Sequence, residues 1–231
     1  MSRDTELAEL ERRITGCRRC PRLVAHREAV AADPPLRYRG QTYWARPLPA
    51  FGDPAARVVI VGLAPAAHGG NRTGRMFTGD RSGDWLFRAL HQAGFASQPT
   101  SVHASDGLQL SGAWITAAAR CAPPENKPTV EELARCQPFL LEELQLLGSA
   151  RVVVALGQIG WSAYLRARRV LSQHLPRPLP RFGHGALARM PDGLHLLGTF
   201  HPSQQNTFTG KLTEEMLLSV FQRAHRLAYG Q

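Results

Sequence analysis

Four short apolar runs divide the chain, and amphipathic stretches fill the intervals between them. Arg57-Val58-Val59-Ile60-Val61 and Arg151-Val152-Val153-Val154-Ala155-Leu156 are apolar at every position after the first. Such runs fit strands covered on both faces, as at the centre of a parallel sheet. Ala113–Ala117 and Leu194–Phe200 are two further strand candidates, less uniformly apolar. Leu7, Leu10 and Ile14 are spaced for one face of a helix over residues 4–15, and Leu23–Ala32 for a second. Trp85-Leu86-Phe87 with Leu90 and Ala93 predict a third helix, closed by Gly94. Thr129 with Glu132 is a capping-box pattern opening a helix to Leu147, in which Pro138 is expected to make a kink or a break. Two more helices are predicted, from Gln158 to Leu171 and from Thr213 to Ala228. The alternation predicts an α/β fold: a single-domain three-layer α/β/α sandwich over residues 1–231, with a central, mainly parallel four-stranded sheet.

Three strands run into loops rich in chemistry. In open α/β sheets, ligands bind beyond the carboxyl ends of the strands. The longest such loop, Gly62–Asp80, is glycine-rich and basic. It lacks G-x-x-x-x-G-K-[ST] and G-x-G-x-x-G, which excludes a P-loop and a dinucleotide fingerprint. His68-Gly69-Gly70 resembles an esterase oxyanion loop, but no G-x-S-x-G elbow accompanies it. What remains is backbone donors, Arg72, Arg75, Phe77 and Asp80, a set suited to a planar base beside a phosphate backbone. The alternative is that Phe77 is core and Asp80 an N-cap.

Charge points the same way. The formal net charge is +10, from 28 basic and 18 acidic residues, and every basic residue except Lys127 and Lys211 is arginine. That balance suits a polyanionic partner, or else an arginine-biased genome and ordinary solvated faces. No run of about 18 apolar residues offers a membrane span, and the charged start MSRDTELAELERR has no apolar signal core. The expectation is a cytoplasmic protein with no membrane partner. In that compartment Cys17, Cys20, Cys121 and Cys136 read as ligands of an iron–sulfur cluster, as zinc ligands, or as unligated thiols.

Taken together, the strings Cys17-x-x-Cys20-Pro21-Arg22-Leu23, Tyr43-Trp44-Ala45-Arg46-Pro47, Phe51-Gly52-Asp53-Pro54, Gly62-Leu63-Ala64-Pro65, Asn71–Asp80, Arg120-Cys121-Ala122-Pro123-Pro124, Asn126-Lys127-Pro128 and His201-Pro202-Ser203 with Gln205-Asn206-Thr207 resemble the uracil-DNA glycosylase superfamily. The resemblance is closest to its type-5 branch and spans nearly the whole chain. It implies a structural 4Fe–4S cluster on Cys17, Cys20, Cys121 and Cys136, pinning the N-terminal segment and a DNA-facing loop. A monomer is expected, associated with the nucleoid while it acts on double-stranded DNA. The activity implied is excision of uracil and other deaminated or damaged bases, leaving an abasic site.

The site residues follow by resemblance. Gly62, Leu63, Ala64, Phe77 and Asn126 would hold the flipped base, with Phe77 stacked on it and Asn126 at its Watson–Crick edge. Arg72, Arg75, Ser203, Gln204, Gln205 and Asn206 would meet DNA. His201 would donate to the base carbonyl. Leu63 stands where most branches carry a residue that positions water, and Asp80 is the natural replacement. Gln204, Gln205 and Asn206 stand where other branches place a leucine wedge. A non-catalytic cluster protein that binds or senses DNA is the rival reading; release of free uracil separates the two.

Overall fold

A computed structural model describes residues 2–230. The sheet has six strands, in the order β1 (Phe51–Gly52), β3 (Ala113–Ala117), β2 (Val58–Gly62), β4 (Val152–Leu156), β6 (His195–Thr199) and β5 (Leu187–Arg189). The four inner strands are parallel, and β1 and β5 lie antiparallel along the two edges. The expected count of four is therefore corrected to six. The added strands have only two and three residues, and β5 alternates exposed and half-buried positions that carry no core signal.

Alternate residues of the inner strands feed two cores. Val58, Ile60, Ile115 and Val154 face α4 (Arg81–Gln92) and α8 (Glu214–Tyr229). Val59, Val61, Val153 and Leu196 face α1 (Arg3–Thr15), α5 (Val130–Leu146) and α6 (Gly157–Val170). Helices on both faces explain why these strands are apolar at every position. The three-layer arrangement is as expected.

The helix signals hold as well. Thr129 and Glu132 form the reciprocal capping box, and Pro21 opens α2 (Pro21–Ala32) at its first position. Pro138 neither splits nor ends α5, which runs unbroken past it. Phe139 and Leu140, directly beyond the proline, are buried against α1 and the sheet. That packing outweighs the one backbone bond a proline removes. No helix among the described residues is long and apolar enough to cross a membrane.

The strand order places β2 and β4 at the point where the chain reverses direction across the sheet. Loops leaving β2, β3, β4 and β6 all open on the same rim. That rim is where open α/β sheets bind their ligands.

Candidate active site

The loop after β2 folds over the end of its own strand. A Cβ added to Gly62 would lie 2.9 Å from the Phe77 ring, so only glycine lets that ring settle across the strand's end. Phe77 itself sits at φ 52°, a left-handed conformation rare for an aromatic residue. Such strain persists where surrounding structure over-determines it, commonly at functional sites. Across the crevice, the His201 ring lies 5.9 Å from Phe77, tilted by 34°. β2 and β6 thus bring a buried aromatic face and an imidazole together. Leu63 and Ala64 are half-buried, and the Gly62 and Leu63 carbonyls accept the Ala118 and Ala119 N–H groups.

His201 is surrounded by protein, which pushes its pKa down to about 4. Its carbonyl accepts Asn206 Nδ2 at 2.8 Å, which fixes the backbone while the ring nitrogens find no partner among the described residues. The imidazole is thus held neutral beside Phe77, with a ring N–H that no protein group among the described residues takes up. Gly157, directly after β4, has φ 87°, and a Cβ there would touch His201 Cβ at 3.4 Å. Its position at a strand end was the available sequence signal, and it was not drawn on.

Asp80 caps α4. Its Oδ1 accepts the Gly83 N–H at 3.0 Å. Its Oδ2 lies where only a glycine neighbour fits, because a Cβ on Gly69 would be 1.9 Å away. Burial raises the Asp80 pKa against the opposing pull of the Gly83 and Ser82 amides. Both readings of Asp80 are compatible with this geometry, since one oxygen caps and the other faces the glycine loop.

The two loop arginines are fully engaged. Arg75, expected at a phosphate, is buried and pairs with Asp106 at 2.7 Å while donating to Thr78 and Ser101. Arg72 donates to the His68 and Gly79 carbonyls and to Gln41, and stacks 4.3 Å over Tyr38. Both build the loop. Exposed cations on the rim are instead Arg81, Lys127 and Lys211. Asn126 is exposed in a tight turn where it and Glu125 both have positive φ. Ser203 caps α7 (Gln204–Phe208), leaving Gln204 and Gln205 exposed and Asn206 turned toward His201.

The four cysteines form no disulfide and line one small cavity between α2, the loop after β3 and α5. Donors face three of the sulfurs. Arg27 Nη1 lies 3.0 Å from Cys121 Sγ, the Arg120 amide 3.3 Å from Cys136 Sγ, and Arg19 Nε 3.4 Å from Cys17 Sγ. Burial pushes Cys121 up to about 11 and Cys136 up to about 12. Among the described residues, no three His, Cys, Asp or Glu side chains gather tightly enough for a metal ion.

Residues 49–225 match the uracil DNA glycosylase superfamily. The chain belongs to that superfamily. It is 52% identical to a type-5 uracil-DNA glycosylase of Thermus thermophilus, over 93% of this chain and 95% of that protein. The type-5 enzyme of Mycobacterium leprae is 50% identical, over 96% of each. A type-4 uracil-DNA glycosylase of Thermotoga maritima is 29% identical, over 66% of this chain and 67% of its own. The chain therefore falls with the type-5 members.

Proposed function

We propose that the chain is a DNA glycosylase that flips uracil, and related deaminated or damaged bases, out of duplex DNA and hydrolyses the N-glycosidic bond. The observation that carries this is the Phe77–His201 pair at the strand-end crevice of a superfamily member. A flipped base stacked on Phe77 would put its carbonyl within reach of His201. As the bond breaks, negative charge builds on the base and positive charge on the sugar. His201, held neutral by burial, would donate to the base oxygen without surrendering its proton, alongside backbone amides of the loop. Asp80 would orient water or balance the sugar's charge. Asn126, exposed at the rim, would read the base edge with its amide. Release of free uracil from a uracil-containing duplex tests the reading. Tight binding without release would favour the sensor reading instead.

Phosphate contacts are reassigned in this proposal. Arg81, Lys127 and Lys211 would grip the backbone, with Ser203, Gln204 and Gln205 beside the gap left by the base. Arg81→Ala and Lys211→Ala should each reduce the slope of log affinity against log salt by about one. Arg75→Ala should leave that slope alone and lower the melting temperature. Leaving buried Asp106 without its cation typically costs about 3–5 kcal/mol. An equal slope loss in Arg75→Ala would return phosphate contact to that residue.

We further propose that Cys17, Cys20, Cys121 and Cys136 hold a structural 4Fe–4S cluster, so that the chain folds as one unit with α1 and α2 fastened to the sheet. A single zinc ion needs four sulfurs about 2.3 Å from it, and no three ligating side chains among the described residues gather for one ion, whereas four cysteine thiolates are the usual ligand set of an iron–sulfur cluster. The buried arginines beside the sulfurs fit an anionic group. When bound, such a cluster would serve as a cross-link and supply no step of the hydrolysis. Cys136→Ser is expected to bleach the protein, remove its iron and sulfide together, and lower its melting temperature, because binding energy here is folding energy. Stoichiometric zinc in anaerobically prepared protein would overturn this assignment.

A further inference from the structure

Charges around the cysteine cavity do not balance within the protein. Arg27 and Arg120 are 2% and 1% exposed. Arg120 has a carboxylate partner in Glu143, which is equally buried. Arg27 has none among the described residues. Its Nη1 reaches Cys121 Sγ at 3.0 Å and its Nη2 the Cys17 carbonyl at 3.5 Å, while Nε has no partner at all. A guanidinium buried without a counter-charge is strongly disfavoured. The missing negative charge belongs in the cavity it faces, where four thiolates outweigh the positive charge of a 4Fe–4S core.

The main chain of the same residue reaches the other way. The Arg27 carbonyl accepts Asn71 Nδ2 at 3.2 Å. Asn71 is wholly buried in α3 (Gly70–Thr73), inside the loop that carries Phe77 and Asp80. Its side chain also donates to the Ala67 carbonyl at 3.4 Å, and its main-chain carbonyl accepts the Ala45 N–H at 3.0 Å. One residue therefore touches both the cysteine cavity and the loop over the crevice.

We infer that Arg27 is the counter-ion of the cysteine-held group and the positioning residue through which that group orders the base-site loop. This rests on the cluster assignment proposed above. Without the group, Arg27 is an uncompensated buried cation that must move or hydrate. Its carbonyl moves with it, Asn71 loses its anchor, and residues 66–80 loosen. Cluster occupancy would thus govern the base site at a distance, with no ligand of the cluster touching the base.

The test uses the loaded full-length chain and begins with iron and sulfide analysis. Wild-type protein lacking both would overturn the cluster assignment, and this inference with it. With iron present, reduction potential and hydrogen exchange of residues 66–80 are compared across variants. Arg27→Met should lower the potential, because reduction adds negative charge that the guanidinium stabilises, and should speed exchange of the loop. Arg27→Lys keeps the charge and should restore most of the potential. Asn71→Ala should speed loop exchange at unchanged potential. An iron-replete Arg27→Met with wild-type potential would overturn the counter-ion role. Should Arg27→Met fail to fold, the other two variants decide. A Lys variant that keeps its iron near the wild-type potential, with a loosened loop in Asn71→Ala, sustains the inference. A Lys variant that loads no iron, or unchanged loop exchange in Asn71→Ala, sinks it.

Discussion

Asp80→Ala is expected to slow single-turnover excision of uracil by about 10²–10⁴-fold, the usual cost of losing an acid–base group, while lesion DNA still binds. The same substitution removes the cap on α4, where Oδ1 accepts the Gly83 N–H, at about 0.5–2 kcal/mol. Rate and stability would then fall together, so alanine alone does not distinguish the two roles. Asp80→Asn does. Asparagine caps a helix about as well as aspartate, so its melting temperature should stay near wild type. If a charged carboxylate is required at the sugar or the water, Asp80→Asn will be nearly as slow as alanine. Wild-type cleavage by Asp80→Asn would reduce Asp80 to a cap. The pH dependence supplies a second check. Burial raises the Asp80 pKa, so the folded state holds this proton more readily than the unfolded chain. Its contribution to stability is therefore fully present below the ordinary carboxylate pKa and is lost as pH rises through the raised folded one.

The legible parts of this molecule were those in which local composition and tertiary place coincide. Val58–Val61 and Val152–Leu156 are apolar throughout because helices cover both faces, so the centre of the sheet could be read directly. β1 and β5 were missed because a short antiparallel edge needs neither an apolar run nor alternation. Thr129 with Glu132 announced its helix because a capping box is wholly local. Pro138 does not split its helix, because packing that the sequence does not display outweighs a local penalty. The same distinction runs through the site. Phe77 and Asp80 became candidates because their loop follows a strand end, and His201 because its loop does too. Which cations stay exposed was not legible in the same way. Arg75 looks like any loop arginine until Asp106, 31 residues further on, is folded against it. Arg27 looks like a solvated helix position, and only the packed structure shows it turned inward to Cys121 without a carboxylate.

His201 is the group on which the chemistry would most directly rest. His201→Ala is expected to lower the excision rate by about 10²–10³-fold, the cost found when one preorganised donor to a developing anion is removed. His201→Gln retains an N–H donor and should recover part of that loss. A positively charged imidazole would predict a rate that falls as pH passes upward through the ordinary histidine range. This histidine should show no such limb. With its pKa pushed down to about 4, it is already neutral across that range and donates a hydrogen bond rather than a proton. The same shift affects stability with a definite sign. The unfolded chain takes up the histidine proton more readily than the folded one, so His201 contributes fully above about pH 6.5. That contribution declines as pH falls toward about 4. His201→Ala should flatten this part of the stability profile. An inflection near the ordinary histidine pKa that vanishes in His201→Ala would show that the imidazole titrates during turnover, and would reassign it from hydrogen-bond donor to general acid.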